Sequence, residues 1–131
     1  MVKNKRGSWS PADIFAIPLT DGRFALAQVL DQRLPNTVRI AIYSDIINST
    51  KVINLSLVKE NLISLMEVTK IKLDKNEWKI IDNQKTSIPI SMYPNEQYRS
   101  NNWINSVVHD AAVAESFCYT ARVHVPSTTP N

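Results

Sequence analysis

Gly7 and Gly22 are the only two glycines in this chain of 131 residues. That is too few for a loop that cradles phosphate. The one cysteine, Cys118, excludes an internal disulfide and points to a reducing cytosol. Neither histidine, His109 or His124, has a Cys or second His at ligand spacing, so no metal motif and no cofactor are expected. No apolar run is long enough to cross a bilayer. The start, MVKNKRGSWSPADIF, carries basic residues with no apolar stretch or cleavage site after them. It does not read as a secretory signal, and a cytoplasmic protein is expected.

An excess of one charge is lacking too. The net charge of +3 comes from 15 basic and 12 acidic side chains. Lys3, Lys5 and Arg6 supply that whole excess, and the other 12 basic side chains balance the 12 acidic ones. A duplex-binding domain carries a concentrated basic face, so nucleic acid is not an expected partner. Residues 1–8 and 126–131 read as flexible tails of a single domain spanning 1–131.

Reactive pairs are scarce as well. Along one helix, Cys118 and His109 would stand roughly 13 Å apart, beyond the reach of a nucleophile and its base. Cys118 falls on an apolar stripe, where a buried, inert thiol is the default. Asp13, Asp45, Glu67, Glu96 and Glu115 each read more simply as a solvated charge or a cap. The chain is not expected to be an enzyme.

What is present is mostly strand. In DIFAIPLTDGRFALAQVL the pair Asp21-Gly22 suits a two-residue turn with positive φ. That turn sets Leu19 opposite Phe24, Ile17 opposite Leu26 and Phe15 opposite Gln28 on a bulky face. Ile14 with Val29, Ala16 with Ala27 and Pro18 with Ala25 form a smaller face, also apolar. Such a ribbon must be covered on both sides. TVRIAIYS alternates, with Val38, Ile40 and Ile42 against Arg39, Ala41 and Tyr43, and reads as a third strand. NLISLMEVT is a fourth, and a short fifth is expected around Trp78 and Ile80. DIINSTKVINLSLV begins as a loop through Asn48 and Ser49. NQKTSIPISMYPNEQYRSNN reads as a long loop with an extended piece at Ile88 to Met92, and long loops in compact domains are often functional.

DAAVAESFCYTAR changes the period. Val113, Phe117 and Ala121, with Ala114 and Cys118 beside them, make a helical stripe. Asp110 is the N-cap, Glu115, Ser116, Tyr119 and Arg122 point outward, and VHVPSTTPN ends the helix. The expected fold is α+β: a strongly curved, mainly antiparallel sheet, or a small SH3-like barrel, with the C-terminal helix packed on the small face of the hairpin. Tyr93, Tyr98, Arg99, Trp103 and Tyr119 are residue types that dominate protein–protein contacts. They form the candidate partner interface. The alternative is a small-barrel module for nucleic acid or a small ligand, with a basic aromatic groove and salt-sensitive affinity.

The run DIFAIPLTDGRFALAQVL resembles the opening of the immunity protein 26 family, through Asp13, Phe15, Ile17, Pro18, Leu19, Asp21, Gly22 and Arg23. EWKIID, around Trp78, is similar to a later strand of that family. MYPNEQYRSNNW is similar to its P-x-E-x-x-R stretch followed by Trp, here Pro94, Glu96, Arg99 and Trp103. The helix matches at Glu115, Phe117 and Pro126. Two departures stand out: Ala12 replaces the usual glycine before Asp13, and Ser127 stands where a tryptophan follows the proline. The resemblance implies a β-rich domain with a terminal helix that works in the cytoplasm. It also implies binding to a cognate toxin of a bacterial polymorphic toxin system, whose identity it does not give.

Overall fold

The computed structural model describes residues 8–51 and 55–127, with side chains to residue 120. The expected tails fall largely at 1–7 and 128–131, outside the described residues. Five strands, β1 (Asp13–Pro18), β2 (Phe24–Asp31), β3 (Thr37–Ile47), β4 (Leu62–Thr69) and β5 (Lys79–Asn83), form one antiparallel sheet in the order β4-β3-β2-β1-β5. β4 and β5 are its two edges, so the sheet is open and not a closed barrel. A short helix α1 (Ile71–Asp74) joins β4 to β5, and α2 (Ala111–Ser127) closes the chain.

The opening hairpin forms with a register one residue away from the expected one. Ile17 pairs with Ala25, Ala16 with Leu26 and Phe15 with Ala27. The Leu19 N–H donates to the Arg23 carbonyl at 2.8 Å, and the Gly22 N–H to that of Leu19 at 3.3 Å. The loop is therefore the three residues Thr20-Asp21-Gly22, with Gly22 at φ 89°. A three-residue loop with glycine in the left-handed region also suits an Asp-Gly pair. A slip of one residue exchanges faces, so Ala25 and Ala27 join Phe15 and Ile17 while Ala16 and Leu26 turn away. Both faces are nonetheless buried, as a two-sided apolar ribbon requires.

One face lies under α2. Phe15, Ile17, Ala25, Ala27 and Val29 meet Val38, Ile40 and Ile42 of β3 and Ala111, Ala114 and Cys118 of the helix. The helix contacts the sheet with small residues at i, i+3 and i+7, which lets its backbone come close. The expected stripe put Val113 inward, but its side chain is exposed and Ala111 takes the buried place. Asp110 does cap the helix, its Oδ1 accepting from the Ala112 N–H at 2.9 Å. Glu115, expected outward, is half-buried and accepts from the Trp78 indole at 3.0 Å. Trp78 in turn stacks on Phe15, with ring centroids 5.3 Å apart. The helix continues past Arg122 to Ser127, through the residues expected to end it.

Ala12 has φ 76°. The backbone there keeps the left-handed shape that favours glycine, despite the side chain. It is held by its N–H to the Val29 carbonyl and by its carbonyl, which accepts from the Gln84 N–H. The neighbouring Asp13 is buried. Its carboxylate accepts from the Ser10 N–H at 2.8 Å and from the Asn83 amide at 2.9 Å, tying the first described residues to β5.

Candidate functional site

The opposite face of the sheet is covered by the chain between β5 and α2. Leu30, Ala41 and Tyr43 pack there with Ile88 and Tyr93 from that segment. The piece expected to be extended at Ile88 to Met92 contains a 3-10 turn, Ile90–Met92, and a second follows at Glu96–Asn101. Several peptides there need positive φ: Asn95 (66°), Asn102 (55°), Trp103 (63°) and Asn105 (78°). Asparagine tolerates this region, whereas a tryptophan in it is a genuine outlier. Such strain persists only where the surroundings fix it.

The surroundings are charged. Arg39 lies on the loop side of β3 with its side chain 1% exposed. Its guanidinium grips Asp31 with two bonds of 2.6 Å and donates at 2.8 Å to Glu96 and at 3.0 Å to the Pro94 carbonyl. A buried guanidinium needs such pairing to offset its lost hydration. Beside it on β4, the buried Glu67 accepts from Arg33 (2.9 Å), Thr37 (2.7 Å) and Asn95 (2.8 Å). The Asn95 side chain also bonds both backbone groups of Val107, which pins the two ends of the loop together. Trp103 stands among three guanidiniums, with Arg33 at 4.5 Å, Arg99 at 4.9 Å and Arg39 at 5.6 Å from its ring centroid. Arg99 closes the group by donating to Glu96.

The electrostatics follow from these bonds. Hydrogen bonds from Arg99 outweigh the opposing effect of burial and, with those from Arg39, bring the Glu96 carboxyl down to about 2. Burial disfavours the charged form of Arg39, but the bonds to Asp31 and Glu96 overcome it and hold the group above the usual guanidinium range. Burial raises the Tyr93 phenol, helped by the Asp31 charge. Three arginines and three carboxylates thus form a closed, balanced brace around one indole.

The structure therefore brings together four of the five candidate residues. Tyr93 is buried against Arg39, at 5.1 Å, while Arg99 and Trp103 belong to the brace. Tyr98 lies half-buried in the same turn and accepts the Trp103 N–H through its carbonyl at 2.8 Å. Tyr119 stands apart on α2, beyond the other face of the sheet. It lines a groove with Pro18, Leu19 and Glu115. Sequence reasoning missed Asp31, Arg33, Arg39 and Asn95, and it read Glu67 as a solvated charge or a cap, whereas that carboxylate is buried. One signal was available: Arg39 interrupts the stretch Val38–Tyr43 of β3, which is otherwise apolar on both faces, and such a charge must find partners.

The family model of immunity protein 26 matches residues 10–102. The chain belongs to the immunity protein 26 family. The match takes in all five strands and most of the loop brace, from Asp31 to Arg99, whereas Trp103 and α2 follow it. No curated protein and no solved structure matches the chain. Among the described residues no group of His, Cys, Asp and Glu could hold a metal ion, and no helix is long and apolar enough to cross a membrane.

Proposed function

We propose that this immunity protein 26 member binds a cognate bacterial toxin in the cytoplasm and neutralises it by contact, without catalysis. The observation that carries the reading is the family match, which reaches into the braced loop as far as Asn102. The loop supports it physically. A strained, tightly supported segment over one face of a rigid sheet is a preorganised surface, and preorganisation lowers the entropy lost on binding. Tyr98, Arg99 and Trp103 are its aromatic and guanidinium members. Tyr93 acts from beneath, and Tyr119 offers a separate contact on α2. The arginines of the brace are engaged by carboxylates, which argues against a phosphate-binding groove. The test is growth of cells expressing the product of the neighbouring reading frame, with and without this chain. Toxicity relieved by co-expression is the expected result. Toxicity unrelieved, or a harmless neighbour, contradicts the reading.

A further inference from the structure

Resting on that reading, we infer that the toxin-facing surface is the aliphatic rim of the braced loop, and that it takes an uncharged, apolar patch of the toxin rather than a charged groove. Eleven large hydrophobic side chains are exposed among the described residues, and five of them lie between residues 90 and 108: Ile90, Met92, Ile104, Val107 and Val108. Ile90, Ile104 and Val107 are each more than half exposed, at 59%, 56% and 53%. A concentration of this kind marks an interaction site.

The brace explains why these side chains face outward. Trp103 turns its ring inward among the guanidiniums, and its positive φ places Ile104 at the tip of the next turn, whose N–H donates to the Asn101 carbonyl. Asn95 fixes Val107 by both backbone groups, beside an open groove of ≈ 290 Å³ in which Leu65, Met92 and Val107 stand with the polar Glu67, Gln97 and His109.

Charge decides the kind of partner. From Thr86 to Val108 the chain holds one acid and one base, Glu96 and Arg99, and they bond to each other. The segment thus carries no net charge to complement a strongly charged toxin cleft, so the matching surface is uncharged. Affinity then comes from desolvated aliphatic anchors and not from steering.

The experiment measures binding of the purified product of the neighbouring reading frame to the full chain, with growth rescue in parallel. Between about 50 mM and about 500 mM salt the dissociation constant is expected to change less than about threefold. Ile104→Asp and Val107→Asp are each expected to weaken binding by about 30-fold or more. Ile104→Ser and Val107→Ser repeat the test without a new charge, and Val113→Asp on the exposed side of α2 serves as the unaffected control. Melting temperatures confirm that each variant is folded. Wild-type rescue with loop variants that bind normally, or with affinity lost steeply in salt, overturns this inference and leaves the proposed function standing. Self-association of the chain, abolished by Ile104→Asp while toxin binding persists, overturns it in favour of a second copy. A wild-type chain that neither binds nor rescues overturns both.

Discussion

The two faces of the sheet are built on different physics. Under α2 the filling is aliphatic and aromatic, with Phe15, Ile17, Val29, Ile40 and Ile42 against small helix residues. Under the loop, Arg39, Glu67 and Gln28 are as deeply buried as any of these. The helix face gains stability from apolar transfer, which tolerates variation in detail. The loop face is tied by directional charge pairs that contribute little net stability but are costly to break singly. The first face secures the fold. The second fixes the shape of one particular loop, as expected if that loop is the part with a job.

The largest effects can break this comparison. Arg39→Leu strands the Asp31 and Glu96 carboxylates and is expected to cost about 3–5 kcal/mol. Phe15→Ala is expected to cost a similar amount, about 3–5 kcal/mol, through a cavity against Trp78. Denaturant unfolding measures both. The faces then separate on repair: Asp31→Leu and Glu96→Met added to Arg39→Met recover part of the loss, whereas a second truncation beside Phe15→Ala deepens it. Equal behaviour of the two sets would contradict the distinction.

Trp78→Phe keeps the ring stack but loses the indole bond to Glu115, and about 1 kcal/mol should go with it. Acid sharpens the contrast further. The folded chain holds Glu96 below its usual 4.5, at about 2, so the fold favours the ionised carboxylate. This stabilisation is present above the usual value and is lost as pH falls through the folded one. Melting followed between these two pH values should show a steeper decline for wild type than for Glu96→Gln. Phe15→Leu, on the helix face, should keep the wild-type slope.

The smallest effects concern the backbone and a lone tyrosine. Ala12→Gly relieves a positive φ and should stabilise by about 0.5–1 kcal/mol, the relief exceeding the entropy that glycine adds to the unfolded chain. Tyr119→Ala, on an exposed helix surface, should change stability by no more than about 0.5 kcal/mol. Its effect on rescue shows whether α2 shares in the contact.

The strands and the capped helix were legible in the sequence because period and turn chemistry are local. The doubly buried hairpin was legible for the same reason. Its register was not, since Asp21-Gly22 serves a two-residue and a three-residue loop equally well, and only tertiary packing chooses. The helix stripe was misread at Val113 because large residues were given the inward place, while close approach to the sheet favoured Ala111. The brace was the least legible. It joins Asp31, Arg39, Glu67 and Glu96 across long stretches of chain, and no local pattern announces such a pairing. The hints were the Glu96, Arg99 and Trp103 run and the charge of Arg39 within an apolar stretch. The exposed aliphatics from Ile104 to Val108 went unnoticed because single apolar residues in a loop look ordinary until their exposure is seen.

The central claim is neutralisation by stoichiometric contact. Titrating the chain into a fixed amount of the active product of the neighbouring reading frame, while following that product's toxic activity, tests it most directly. The account predicts inhibition that rises in proportion to added chain and breaks near equimolar. Full inhibition at a small fraction of equimolar would reveal catalysis, and undiminished activity in excess would reveal no binding; either result contradicts it.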